Sequence, residues 1–305
     1  MLRNRFTILD FIINRVVPLL GTRRTGETHM SFKPAQRRNA KLRLAISGTA
    51  GAGKTYSALL MAKEFGTKIA VMDSERGSAS LYADLVPFDV CELEEKNVQE
   101  YLEKIKDAAA AGYEVLVIDS YSHSWVSSLE AIDKMGGWVK GGKVISPLVA
   151  KLVDAILSYP GHVIATMRSK ADFAIETVDG RARMKKMGMA TVAREGTDFE
   201  FSVMLEVTPE GGLTVSKSRC TAIAGGVYTR DDVVKVAKKL KAWLGEGAPV
   251  SPRESLAERI KFATNQGDLD ALVPELKLLS PEDIAALKPI YSARKAALSD
   301  AMEGE

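Results

Sequence analysis

The sequence predicts an α/β fold: a mostly parallel central sheet, a C-terminal antiparallel hairpin, then a small helical bundle. Three observations carry this prediction. From residue 41 onward, short continuously apolar runs alternate with helical segments, as in sheets whose strands are buried on both faces. One of these runs leads through "GTAGAGKTYS" (48–57) directly into the helical "ALLMAKEF". After residue 198 the alternation stops, and "DFEFSVMLEVTPEGGLTVSKSR" sets two β-rich runs around a Glu-Gly-Gly turn, the chemistry of a hairpin.

Composition frames the reading. The chain has 305 residues, 46% hydrophobic and 27% charged, an ordinary globular balance with core enough for one large or two smaller domains. The net charge of +3 is too small to name a partner. Cys91 and Cys220 are the only cysteines and there are three histidines. That argues against a disulfide framework or a structural zinc site and points to a reducing cytoplasm. Near the N-terminus, "FTILDFIINRVVPLL" is apolar but short and carries Asp10, Asn14 and Arg15. It suits neither a membrane span nor a signal peptide, and no membrane partner is expected. Residues 1–40 are read as an extension, either a short amphipathic appendage or sequence upstream of a start at Met30.

The elements follow in order. "KLRLAIS" (41–47), "KIAVMDS" (68–74), "YEVLVIDS" (113–120) and "HVIATMR" (162–168) are strands, and 54–65, 97–111 and 144–158 are helices. The hairpin and the helix "DDVVKVAKKLKAWLG", with Gly245 as its cap, close a core over 41–245. Residues 246–252 form a linker. In the bundle at 253–305, "SPRE" and "SPED" each supply a serine cap, a first-turn proline and an acid. Helices are expected at 252–265, 268–279 and 281–301, with Leu269, Leu272, Val273 and Leu276 at helical spacing. From 251 onward seven basic face ten acidic residues, which suits protein contacts better than nucleic acid.

The chemistry is concentrated at 48–57. Gly48, four residues, then Gly53-Lys54-Thr55 is the Walker A spacing. Glycines turn backbone N–H groups inward, and the helix that starts here points its positive end at an anion. Gly48, Thr49, Ala50, Gly51, Ala52, Gly53, Lys54, Thr55 and Tyr56 are therefore assigned to a bound nucleotide, ATP. Lys54 reaches its outer phosphates and the Thr55 hydroxyl binds Mg²⁺. Asp119, ending the apolar "VLVID", is the second metal anchor. Ser120 follows it where many ATPases place a glutamate. The acid best placed to orient water is Glu75, just past the second strand, with pairing to neighbouring Arg76 as the alternative.

With "MDSERG" ending the second strand, "VIDS" the third and "MRSK" the fourth, the stretch from 41 to 244 resembles the RecA-like P-loop NTPase core. More closely it resembles phage and prophage ATPases that keep only that core and assist single-strand annealing. The resemblance implies that Glu75 activates the attacking water. It implies that Thr166, followed by Arg168, occupies the place of the γ-phosphate-sensing glutamine. It also implies that the basic pair Lys217 and Arg219 in "TVSKSR", two apart on one strand face, reaches a neighbouring subunit's γ-phosphate. ATP would then lie between copies of a homo-oligomer, with "FKPA" (32–35) as a docking segment.

The same resemblance places single-stranded DNA at the loops after the third and fourth strands. The stretch 168–194 reads as long, strand-poor and basic, with seven Lys and Arg against three acids. Lys170, Arg181, Arg183, Lys185 and Lys186 are candidate phosphate contacts and Phe173 a stacking surface. A solvated hairpin around "VDGR" is the alternative. Trp138 and Lys140, with Lys143, add a Gly-rich loop in "DKMGGWVKGGK", with packing of Trp138 as the alternative there. A DNA-stimulated ATPase, with a single-strand-binding or annealing protein as a further partner, is the leading expectation. A nucleotide or small-molecule kinase with an arginine lid, or a nucleotide switch for a protein, are the alternatives.

Overall fold

The computed structural model describes residues 37, 39–178 and 181–303; within it, only the backbone is described for 172–178, 181–188 and 300–303. The described residues form two compact units, 41–245 and a smaller one that contains 246–303.

In the larger unit the strands are β1 (Arg43–Gly48), β2 (Ile69–Asp73), β3 (Asp89–Glu92), β4 (Val115–Asp119), β5 (His162–Val178), β6 (Arg181–Thr191), β7 (Val203–Val207), β8 (Leu213–Ser218) and β9 (Val227–Tyr228). The sheet runs β3-β2-β4-β5-β1-β7-β8-β9, with β6 paired to β5. Every pair from β3 across to β7 is parallel, while β7–β8 and β8–β9 are antiparallel. The mostly parallel sheet and its terminal hairpin are thus as the sequence predicts. The helices are α1 (Lys54–Phe65), α2 (Val98–Ala110), α3 (Tyr121–Lys134), α4 (Gly141–Ser158), the single turn α5 (Thr197–Glu200) and α6 (Val233–Gly245).

Strand periodicity sorts the core into two faces. Leu44, Ile46, Val115, Val117, Ile164 and Leu205 pack with α1 and α6 through Ala58, Leu59, Met61, Val236 and Leu240. Leu116, Ile118, Val163 and Ala165, which alternate with them, are equally buried, on the face where α2, α3 and α4 pack together. Arg43 is a buried exception. Its guanidinium donates to the carbonyls of Leu157 (2.9 Å), Gly161 (2.8 Å), Leu42 (2.8 Å) and Tyr159. It thereby satisfies carbonyls that the end of α4 leaves without helical partners.

Three expectations are corrected. Strand β3 was not foreseen, because it is a four-residue edge strand with mostly exposed side chains. Helix α3 was not foreseen either, since its buried positions are largely serines. Ser124 and Ser128 fit there because their hydroxyls bond carbonyls one turn back, at 2.7 Å each. Finally, 169–191 is not strand-poor: β5 and β6 pair over Ser169–Thr191 in a long antiparallel hairpin. The strand pairing is that of a hairpin around "VDGR", whose residues 179–180 lie outside the described residues.

In the smaller unit, Ser251 and Glu254 form the expected capping box at α7 (Pro252–Phe262). The second expected helix is split into α8 (Gln266–Ala271) and α9 (Val273–Leu276). Pro274 lacks the N–H that would continue α8. Helix α10 (Pro281–Glu303) completes a core of Leu256, Ile260, Leu269, Leu272, Leu276, Ile284, Leu287 and Tyr291. Among the described residues no helix is long and apolar enough to cross a membrane.

Candidate functional site

The site lies at the C-terminal ends of the parallel strands. β1 delivers the chain into the loop at Gly48, where an added Cβ would meet the Val207 carbonyl oxygen at 2.8 Å. Only glycine allows β1 and β7 to approach so closely here. Gly53 then caps α1 with φ 98°, the left-handed region that favours glycine. Between them Ala52 N–H bonds the Thr49 carbonyl at 3.3 Å, the one backbone bond internal to 49–53 among the described residues. The N–H groups of Ala50, Gly51 and Gly53 remain for an anion. Lys54 folds over this cradle, its ammonium 2.8 Å from the Thr49 carbonyl oxygen. Burial holds its pKa below the ordinary lysine value, against the pull of Asp119 and Glu75. The loop residues and Lys54 are therefore gathered where a polyphosphate would sit.

Strand order sets the rest. β5 stands between β1 and β4, with Thr166 beside Ile46 and Arg168 beside Gly48. Residues 166–168 of β5 consequently fall between the loop and Asp119. Asp119 is 2% exposed, and burial pushes its carboxyl above the ordinary aspartate value. One oxygen accepts the Thr55 hydroxyl at 2.6 Å and the other accepts the Thr166 hydroxyl. A buried carboxylate held only by neutral hydroxyls is short of positive charge. Together with Thr55 it fits Mg²⁺, which takes one or two protein ligands and completes its octahedron with water and phosphate. Such an ion would neutralise charge on the phosphates. Among the described residues no cluster of three or more His, Cys, Asp and Glu suits a metal held by protein ligands alone.

Two acids at the end of β2 have different roles. Asp73 is fully buried, and its oxygens accept the N–H groups of Glu75 (2.5 Å) and Ala79 (3.0 Å). It shapes the turn that presents Glu75. Glu75 meets Arg168, not Arg76: the guanidinium donates through Nη2 to both carboxylate oxygens at 2.7 Å and through Nε to Oε1 at 3.0 Å. His123 Nε2 lies 4.0 Å from Glu75 Oε1, and its Nδ1 is 2.6 Å from Ser74 Oγ. Burial and Arg168 both hold His123 below the ordinary histidine value. Sequence reasoning missed Ser74 and His123. The only available signal was their place, beside Glu75 and in the first turn after Asp119. Ser120, following Asp119, is buried, and its hydroxyl has no partner among the described residues.

Tyr56 sits at the rim, with Arg230 over its ring at 4.5 Å and Tyr82 edge-on at 6.1 Å. Lys217 and Arg219 are less alike than the sequence suggests. The strand ends at Ser218, between the two residues, so the pair does not share a regular strand face. Lys217 donates to the carbonyls of Asp198 (2.9 Å) and Phe199 (2.6 Å) in its own chain. Arg219 is exposed. Trp138 is 58% exposed in the turn between α3 and α4, 6.4 Å from the Trp125 ring. Lys140 precedes α4, so the expected Gly-rich loop ends at Gly141, where helix begins. Lys170 is exposed on the hairpin. The side chains of Phe173, Arg181, Arg183, Lys185 and Lys186, and residues 1–36 with "FKPA", lie outside the described residues.

No curated protein matches the chain. The model of the AAA domain family matches residues 40–225, more than half of the sequence. The match spans the phosphate loop, Glu75, Asp119, β5 and the hairpin beyond it, and so the chain belongs to the AAA domain family of P-loop, nucleotide-binding ATPases.

Proposed function

We propose that this ATPase hydrolyses ATP with Mg²⁺ on a RecA-like core and acts on single-stranded DNA, in recombination or single-strand annealing of the phage type. In this reading Lys54 and the loop amides hold the phosphates, Thr55 and Asp119 hold the metal, and Glu75 orients the attacking water. One observation carries it. The strand that separates the phosphate loop from Asp119 continues without a break into the hairpin, so nucleotide site and basic projection share one element. Basic charge draws a nucleic-acid backbone without sequence preference; exposed Lys170 on the hairpin, and Trp138 and Lys140 in the turn between α3 and α4, supply cations and a ring face. Arg219, exposed and with a guanidinium that makes no hydrogen bond or ion pair among the described residues, is the better candidate of the basic pair to act on a neighbouring copy in a homo-oligomer. The test is ATP turnover with and without single-stranded oligonucleotides. Stimulation by DNA supports the reading; turnover that responds to a nucleoside acceptor and not to DNA overturns it.

A further inference from the structure

Each of the three acids at the strand ends is already engaged, but in different ways. Asp73 is spent on backbone amides and Asp119 on two hydroxyls. Glu75 alone has both oxygens taken by a cation, Arg168, from 93 positions away. An acid that positions water needs a free lone pair towards it, and a two-oxygen guanidinium fork leaves little room for that.

Arg168 is also the residue at which β5 leaves the central sheet. It is the last to pair with β1, opposite Gly48, and Ser169 is the first to pair with β6. Its backbone is held from two sides. Its N–H donates to Ser122 Oγ at 2.9 Å, in the first turn of α3, and its carbonyl accepts the Val192 N–H at 2.7 Å, just past the end of β6. Both strands of the hairpin therefore converge on this one residue. A load on the hairpin reaches the Arg168 carbonyl directly, and Ser122 ties the N–H of the same residue to the segment that follows Asp119.

We infer that Arg168 is an arresting residue for Glu75, and that the hairpin it anchors releases it, so that a ligand bound to the hairpin sets the rate of ATP hydrolysis. The latch rests on the reading of Glu75 as the residue that orients water. When Arg168 withdraws, His123 remains with Nε2 4.0 Å from the freed carboxylate, tethered through Ser74 to the Asp119 and Ser120 carbonyls. It can then keep Glu75 oriented without covering both of its oxygens.

The experiment compares wild type, Arg168→Ala and Glu75→Gln in ATP turnover, without DNA and with oligo-dT, alongside equilibrium nucleotide binding. The Arg168–Glu75 pair is part-exposed, and a pair of that kind is worth up to about 1 kcal/mol, a rate factor of about fivefold. The latch predicts that Arg168→Ala raises kcat without DNA by about fivefold, leaves nucleotide affinity unchanged, and responds little to oligo-dT. A merely structural arginine would move affinity and kcat down together. Turnover by Arg168→Ala at or below the wild-type rate overturns the latch, and full DNA stimulation of that variant overturns the link to the hairpin. If Glu75→Gln turns over normally, the reading of Glu75 fails, and the latch with it. If only the oligo-dT response of wild type is missing, the DNA reading fails while the rates without DNA still decide the latch. Should Arg168→Ala lose nucleotide binding, Arg168→Gln is read instead; loss in both makes the arginine a structural support and overturns the latch.

Discussion

Lys54→Met separates what the phosphate loop does for the fold from what it does for the ligand. In the free protein the Lys54 ammonium gains one bond to the Thr49 carbonyl oxygen at 2.8 Å. It loses hydration, and burial is the larger influence on its pKa. A charge-assisted bond and a desolvation cost of similar size nearly cancel, and Met keeps the packing of the stem. The stability of the free protein should therefore change by less than about 1 kcal/mol. The ligand effect is much larger. Nucleotide at a hundred times its Kd stabilises the fold by about 2.7 kcal/mol, a Tm shift of about 5–10 °C for a core of this size. Loss of a charged contact worth up to about 3 kcal/mol weakens binding by about a hundredfold. The same nucleotide concentration then stabilises by only about 0.4 kcal/mol, about 1 °C. Thermal melts of both proteins with and without Mg-nucleotide test this. A full nucleotide-dependent shift in Lys54→Met would refute the placement of the phosphates against Lys54.

Three further outcomes follow from the same geometry. Glu75→Gln should keep nucleotide affinity but lower turnover by about a hundredfold or more, as read by single-turnover hydrolysis beside equilibrium binding. Asp119→Asn should abolish Mg²⁺-dependent turnover yet stabilise the nucleotide-free protein at neutral pH. The Asp119 carboxyl has its folded value raised above 3.8 by burial. Its charged form thus costs stability that is absent below that value and grows as pH rises through the folded value. Urea midpoints from about pH 4 to about pH 8 should show the advantage of Asn growing with pH; a constant difference would contradict it. Arg43→Met should cost about 3 kcal/mol in urea unfolding, because buried carbonyls at the end of α4 lose their donor. A loss within experimental error would mean that water replaces the guanidinium.

The parts of the site legible in the sequence are those set by local rules. The spacing from Gly48 to Thr55 encodes a loop and the helix that follows, and the apolar run into Asp119 encodes a strand whose last residue reaches the sheet edge. Neither needs knowledge of what lies across the sheet. What escaped notice depends on distant neighbours. β3 is too short and polar to read as a strand until β2 supplies its partner. The serines of α3 lack the apolar stripe expected of a buried helix, and the packing of α2, α4 and β5 against that helix is set by residues distant in sequence. Arg76, the alternative partner for Glu75 one residue away, instead turns the chain with φ 58°, and the partner observed comes from β5.

β5 shows the physical reason most clearly. Read for continuous hydrophobicity, the strand ends where Arg168 interrupts it, because up to Met167 the chain is buried on both faces and afterwards it is not. The backbone ignores that boundary: its hydrogen bonding passes from β1 to β6 at the same residue. A charged residue is tolerated at that position only because it stands at the open end of the sheet, where Glu75 meets it. The break in the hydrophobic pattern thus marks the junction between the central sheet and the hairpin and, with Glu75 and Asp119 beside it, one wall of the candidate site.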